Sequence, residues 1–91
     1  MQLQTQTRPK VLSVLVLNDR IDAASAIQFK EQMRDLTQSA GPRVVLDLAR
    51  VQFLDSSGLG AIVAVRKLLA PDRVLELSGL TPTVEKVFRL T

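Results

Sequence analysis

The strongest constraint on the fold lies in residues 44–69, where two apolar runs flank a short polar stretch. The first run, residues 44–48, is rich in valine and leucine and predicts a buried strand. The second run, residues 61–69, is longer and contains alanine, which predicts a helix, although residues 62–65 alone would equally suit a strand. Between them, residues 53–60 read Phe-Leu-Asp-Ser-Ser-Gly-Leu-Gly. A carboxylate and two hydroxyls there are typical of a helix N-terminus.

The segment before this junction predicts a β-hairpin. Residues 2–7 are mostly polar and predict an edge strand with a wet outer face. Residues 11–17 are almost wholly apolar and predict a strand covered on both faces. Pro9 lies between them and suits a turn. We therefore expect the two strands to pair.

An amphipathic helix is predicted next. Either Asp22 or the pair of Ser25 and Gln28 can cap its start, and Gly41-Pro42 predicts its end. Its apolar residues recur at spacings of three and four, which indicates one buried stripe: Ala26, Phe29, Met33, Leu36 and Ala40.

The last third of the chain predicts one more strand and one more helix. Residues 74–77 are a short apolar strand, and Thr81-Pro82 predicts a helix start, with Val84, Val87 and Phe88 as its buried stripe. Strand, helix and strand in succession imply parallel pairs with right-handed crossovers. The predicted fold is a single α/β domain over residues 1–91, with three main helices packed against a mixed central sheet of about four strands.

The composition makes an enzyme or a metalloprotein hard to build. The chain contains no cysteine and no histidine, so it lacks thiolate ligands, imidazole ligands and the usual general base. A serine nucleophile at a strand-to-helix turn would need a histidine and a Gly-x-Ser-x-Gly frame. The Lys-Ser/Thr ending of a phosphate-binding loop is also missing, and the carboxylates are not clustered. We therefore expect no enzymatic activity, no metal and no cofactor.

The charge pattern argues against nucleic acid and membrane partners. The net charge is +3, but the twelve basic residues are scattered, and Arg66-Lys67 is their only adjacent pair. Tyrosine and tryptophan, which stack on bases, are absent. No segment reaches the roughly 20 apolar residues of a membrane span, and the first residues do not resemble a signal peptide. We therefore expect a cytoplasmic protein. A separate prediction concerns Asp47, whose carboxylate we expect to bond to a nearby backbone group or an arginine at the end of its strand.

Two interpretations of the junction remain open on chemistry alone. In the first, Asp55, Ser56 and Ser57 cap a helix, and Gly58 and Gly60 permit close packing. In the second, one hydroxyl is a phosphate acceptor. A phosphate at a helix N-terminus is tolerated by the helix dipole, whereas about −1.5 to −2 charges placed in an apolar contact beside a carboxylate would expel a partner.

Residues 53–60 closely resemble the phosphorylation-site motif of STAS domains, in particular those of bacterial anti-sigma factor antagonists. The similarity continues along the chain. Residues 20–22, Arg-Ile-Asp, resemble the family's Glu-Leu-Asp entry to the first helix, and residues 43–48 resemble its central strand. Residues 80–82 and 84–90 resemble its late helix.

The resemblance implies a partner-switching antagonist. Ser56 would be the acceptor, Asp55 would position it or contact the partner, and Ser57 would cap the helix. The implied partner is an ATP-dependent serine kinase that is also the anti-sigma factor; it binds the unphosphorylated antagonist and releases the phosphorylated one. A serine phosphatase would reset the switch. The implied partner-binding residues are Asp22, Asp55, Ser56, Ser57, Gly58 and Leu59.

The sequence departs from the family pattern at three places. Asp19 stands where a glycine is usual and Arg20 where an acidic residue is usual, so the cognate kinase should be adapted to the changed charge. After Thr91 the closing strand and helix of many members are missing. The alternative function is a STAS adaptor or scaffold subunit, never phosphorylated, of a transporter or lipid-trafficking complex. The hydroxyl of Ser56 favours the switch, and the missing phosphate loop argues against nucleotide binding.

Overall fold

A computed structural model describes residues 1–38 and 40–90, and the following elements are given for that part of the chain. The strands are β1 (Leu3–Arg8), β2 (Val11–Val16), β3 (Arg20–Ile21), β4 (Arg43–Asp47), β5 (Phe53–Leu54) and β6 (Val74–Ser78). The helices are α1 (Ala26–Thr37), α2 (Ser56–Leu69) and α3 (Pro82–Arg89). Thr91, where the prediction of an early end falls, lies outside the described residues.

The four longer strands form one mixed sheet in the order β1-β2-β4-β6. β1 and β2 are antiparallel, with Arg8 opposite Val11 across the turn that Pro9 was predicted to make. β2, β4 and β6 are parallel, which α1 and α2 make possible as crossover helices. The predicted hairpin, sheet type and number of main helices are confirmed.

Only one face of the sheet is buried. Along β2, residues alternate between buried and half-exposed positions, and Leu12, Val14 and Val16 point into the core with Val44 and Leu46 of β4. The prediction that residues 11–17 are covered on both faces is therefore wrong. Because successive side chains of a strand point to opposite faces, an apolar run does not reveal whether both faces have a covering layer.

Helix α1 buries the predicted stripe but ends earlier than predicted. Ala26, Phe29 and Met33 are buried, and Leu36 and Ala40 pack partly exposed against the core. The helix ends at Thr37 instead of continuing toward Gly41. The carbonyl of Thr37 accepts a hydrogen bond from the Arg73 guanidinium, which satisfies one of the free carbonyls at the helix end.

Two short strands, β3 and β5, are not predicted by the sequence. They pair in parallel as a separate two-stranded sheet, with Arg20 opposite Phe53 and Ile21 opposite Leu54. Two residues are too few to show any periodicity. This pair nevertheless brings the loop before α1 next to the start of α2.

Two smaller predictions, at the end of β4 and at the start of α3, are confirmed. Asp47 accepts a hydrogen bond from the backbone N–H of Ala49 at 2.9 Å, which fits the expected strand-end carboxylate. Thr81 caps α3 by accepting from the N–H of Val84, and it also donates to the carbonyl of Val51. Among the described residues, no helix combines the length and the apolar character that a membrane crossing requires.

The core prediction is testable in α1 with a buried and an exposed apolar residue two positions apart. Phe29 is 0% exposed and Ile27 is 66% exposed. Phe29→Ala should lower the free energy of unfolding by about 3–5 kcal/mol because it removes packed apolar surface and leaves a cavity. Ile27→Ala should change it by less than about 0.5 kcal/mol. Urea denaturation followed by circular dichroism measures both, and similar losses in the two variants would contradict the assigned helix face.

Candidate functional site

The candidate site is the N-terminus of α2 together with the loop between β3 and α1. β5 ends at Leu54 and α2 begins at Ser56, so only Asp55 separates strand from helix. Because β3 and β5 are in register, Asp22 follows β3 at the same edge where Asp55 follows β5. The structure thus brings together two carboxylates that lie far apart in the sequence.

The side chain of Asp55 joins these two segments. Its Oδ1 accepts a hydrogen bond from the N–H of Gly58 at 2.8 Å, and its Oδ2 accepts one from the N–H of Ala23 at 3.2 Å. The first bond caps α2, with Asp55 in the extended conformation of an N-cap residue. The second bond holds the loop before α1 against the helix start.

The prediction that Ser57 caps the helix is therefore wrong. An N-cap residue needs extended backbone dihedrals, and here Asp55 has them, whereas Ser57 already lies inside the helix. The order of polar residues in Asp-Ser-Ser does not show which of the three will stay outside the helix. The structure thus assigns the capping role to Asp55. Its expected role, to position Ser56 or to contact the partner, stays a prediction.

Ser56 and Ser57 are exposed in the first turn of α2. Neither hydroxyl has a hydrogen-bond partner within the part of the chain that the structure describes. Ser56 is the first helical residue, where the backbone N–H groups and the helix dipole favour negative charge. An exposed hydroxyl at this position can receive a phosphate without the helix having to open.

The two glycines of the motif have opposite surroundings. A Cβ atom on Gly58 would lie 2.2 Å from the carbonyl oxygen of Ile21 and 2.6 Å from Cδ1 of Leu54. Gly58 is buried, and its lack of a side chain allows β3 to approach α2. Its expected place among the partner-binding residues stays a prediction. A Cβ on Gly60 would meet nothing within 4 Å. The fold around it does not require this glycine.

The sequence predicts only close packing for Gly60, which is not among the expected partner-binding residues. A glycine inside a helix is less stable than alanine by roughly 0.5–1 kcal/mol, and no internal contact compensates for it at this position. The signal that could have identified it is its spacing: Gly60 lies four residues after Ser56, on the same face of α2. Leu59, which was expected to bind the partner, is half-buried.

Asp22 organises the loop before α1. Its Oδ1 accepts from the N–H of Ala24 at 3.1 Å and from the hydroxyl of Ser25 at 3.3 Å. The hydroxyl oxygen of Ser25 in turn accepts from the N–H of Asp22. Ser25 directly precedes α1, but its side chain makes no capping bond to the helix, so the predicted arrangement of Ser25 with Gln28 does not form. Asp22 caps the turn that leads into α1, since its carboxylate accepts from the N–H of Ala24 and its carbonyl accepts from the N–H of Ala26.

Arg20 adds a positive charge beside the site. Its guanidinium carbon lies 5.0 Å from the centroid of the Phe53 ring, and a guanidinium nitrogen lies 3.6 Å from Oδ2 of Asp22. Phe53 is 43% exposed although it is aromatic. The stack holds a cation and an apolar ring at the surface, next to the segment that carries Ser56.

Within the described residues, no group of three or more carboxylate, histidine or cysteine side chains could hold a metal ion. The exposed groups of the site are the hydroxyls of Ser56 and Ser57 and the Arg20 guanidinium stacked on Phe53. These groups suit binding and modification by another protein.

The two glycines give a matched pair of stability variants. Gly58→Ala should lower the free energy of unfolding by about 1–3 kcal/mol or more, because its new methyl group would overlap the Ile21 carbonyl. Gly60→Ala should raise it by roughly 0.5–1 kcal/mol because alanine favours the helix. Urea unfolding of both variants measures the difference. Equal effects of the same sign would be incompatible with this packing.

The chain is similar to known proteins in both sequence and fold. A family model described as the STAS domain matches residues 2–91. The anti-sigma-B factor antagonist of Staphylococcus aureus (strain NCTC 8325 / PS 47) is 25% identical over 92 residues, which cover 100% of this chain and 84% of that protein.

Two further similarities agree with this match. BtrV of Bordetella bronchiseptica, which is named provisionally as an anti-sigma factor antagonist, is 31% identical over 88 residues, covering 93% of this chain and 76% of that protein. The crystal structure of an anti-sigma factor antagonist from Mycobacterium paratuberculosis has the same fold, with a TM-score of 0.85 over 98% of this chain and 75% of that one, at 22% identity.

Proposed function

Because this chain belongs to the STAS domain family, we propose that it is a bacterial anti-sigma factor antagonist whose binding is switched by phosphorylation of Ser56. Relatives named as such antagonists align over nearly all of the chain. The single observation that carries the proposal is the exposure of the Ser56 hydroxyl at a helix start whose cap is made by a different residue, Asp55.

In this function the chain is a substrate and a ligand. Its unphosphorylated form binds a cytoplasmic anti-sigma factor kinase and thereby frees the sigma factor. The kinase then transfers the γ-phosphoryl group of ATP: a bond forms between Ser56 Oγ and phosphorus, the bond from phosphorus to the leaving oxygen of ADP breaks, and the hydroxyl proton passes to a kinase base. A serine phosphatase later hydrolyses the phosphoester to serine and inorganic phosphate.

The hydrogen bonds of Asp55 explain why the fold should tolerate the modification. Both carboxylate oxygens are engaged by backbone N–H groups, of Gly58 and Ala23, and neither bond involves Ser56. A phosphate on Ser56 therefore leaves the cap in place and adds negative charge where the helix dipole is favourable.

The same phosphate should oppose partner binding. It brings about −1.5 to −2 charges into a contact that already includes the Asp55 carboxylate. Burying that charge against a partner requires removal of its water shell, and each 1.4 kcal/mol of this penalty lowers affinity about tenfold. The switch then acts on the interface and leaves the domain folded.

The acceptor is testable with two neighbouring serines. After incubation with the organism's anti-sigma factor kinase and ATP, intact-mass and peptide mass spectrometry should find one phosphate, on Ser56. Ser57→Ala, an exposed neighbour, should be modified like the unaltered protein. Ser56→Ala should remain unmodified and still bind the kinase in calorimetry, whereas Ser56→Asp should bind at least about tenfold more weakly, a loss of about 1.4 kcal/mol. Equal binding by the two Ser56 variants would remove the switch and leave the adaptor function.

The charge of Arg20 provides a second test of this surface. We expect the cognate kinase to present a carboxylate to the stacked guanidinium, so Arg20→Glu should reduce affinity by about tenfold or more at low ionic strength. The difference should shrink as salt is added, because exposed charges are screened. Arg8→Glu, an exposed arginine at the end of β1, is the control. Tighter binding of Arg20→Glu would mean that the kinase presents a positive charge to this position. That result would refute the expectation that the kinase is adapted to a basic residue here.

A further inference from the structure

The surface between α1 and α2 contains an apolar groove with a volume of about 440 Å³. Ile27 of α1 and Leu68 of α2 line it and are 66% and 45% exposed. Ala64 also lines it. The core prediction for α1 gives no role to Ile27, which lies off the buried stripe. Exposed apolar side chains that line one groove are a feature of protein interaction sites, whereas isolated ones are not.

Basic side chains without an internal partner border this groove. Lys30 and Arg34 line it from α1, where Glu31 is the accompanying acidic residue. The ion pairs found among the described residues lie elsewhere and join Arg20 to Asp22, Arg43 to Glu76, and Arg89 to Glu85. Lys30 and Arg34 are therefore available to carboxylates of another molecule, and the groove complements an apolar segment with acidic flanks.

The groove residues of α2 lie in one row with Ser56. Ser56, Gly60, Ala64 and Leu68 follow one another at intervals of four along α2 and form a single ridge row of the helix. Twelve residues of helix span about 18 Å. Open space surrounds the position of a Cβ atom on Gly60, so another backbone can approach α2 closely between the hydroxyl and the groove.

We propose that an amphipathic helix of the anti-sigma factor kinase lies along the row that runs from Leu68 to Ser56 on α2. Its apolar residues contact Ile27 and Leu68, its acidic side chains face Lys30 and Arg34, and it passes over Gly60 toward Ser56. A helix of about twelve residues matches the 18 Å length of this row. Docking of a helix in a groove is a common recognition mode. This inference rests on the proposed function, because it names where the same partner binds.

A second copy of this chain is a less suitable occupant. In a twofold-symmetric dimer the same patch meets itself, so a border with two basic residues and one acidic residue would face an identical border, with a net positive charge on both sides. An acidic helix from a different protein avoids this repulsion. The charge of the border thus favours the kinase over self-association.

Matched surface variants test the docking site. Ile27→Asp, and separately the double variant Lys30→Glu with Arg34→Glu, should each weaken kinase binding by about tenfold or more in calorimetry. Val74→Asp is the apolar control, since Val74 is 53% exposed at the start of β6. Arg8→Glu is the charge control, and both controls should bind like the unaltered protein. Unchanged binding by the groove variants would overturn the proposal.

The absence of cysteine allows a direct location of the partner segment. Ile27→Cys, labelled with a benzophenone maleimide, should photo-crosslink to the kinase, and mass spectrometry should identify an acidic amphipathic helix at the attachment point. Val74→Cys with the same label should not crosslink to the kinase. A crosslink from Ile27→Cys to a second copy of this chain in place of the kinase would refute the assigned occupant.

The outcomes separate this inference from the proposed function. If Ser56→Asp loses affinity while the groove variants bind normally, the switch stands and the groove proposal fails. If Ser56→Asp and Ser56→Ala bind the kinase equally while Ile27→Asp binds weakly, the groove is a docking site and the phosphorylation switch fails.

Discussion

The arrangement of the site depends on one carboxylate that accepts two backbone hydrogen bonds. Asp55 bonds to the N–H of Gly58 at the start of α2 and to the N–H of Ala23 in the loop before α1. These segments belong to different halves of the chain, which are also joined nearby by the β3–β5 pair and by the hydrogen bond from the N–H of Gln52 to the carbonyl of Asp19. Bonds from backbone N–H groups to an ionised acceptor are among the stronger hydrogen bonds in proteins. The surface around Ser56 is therefore fixed before any partner arrives.

The long elements of this fold could be predicted from the sequence, whereas the contacts that build the site could not. The stripe through Phe29 and Met33 repeats over three helical turns and identifies the buried face of α1. β3 and β5 have two residues each and leave no such pattern. The choice of Asp55 over Ser57 as the cap depends on backbone dihedrals, which the preference of both residue types for helix starts does not determine.

The two glycines of the motif also have roles that the sequence could not distinguish. Gly58 and Gly60 are two residues apart and equally compatible with close packing. Their roles differ only because the carbonyl of Ile21, 37 positions before Gly58, occupies the space beside one of them. The groove is a further case, since Ile27 and Leu68 come together only when α1 and α2 pack. Local sequence thus predicts which segments form helices and long strands. The role of each residue in the site is determined by tertiary contacts.

The motif separates the groups that stabilise the fold from those that a partner can reach. Asp55 and Gly58 turn inward, toward the β3 backbone and the loop before α1, while Ser56 and Gly60 face outward from the same turns of α2. A helix makes this separation possible, because residues one position apart point about 100° away from each other. Charge added on the outward side changes what a partner must desolvate but leaves the inward hydrogen bonds unaltered. In the proposed function, the binding switch therefore lies on a helix that also forms part of the core.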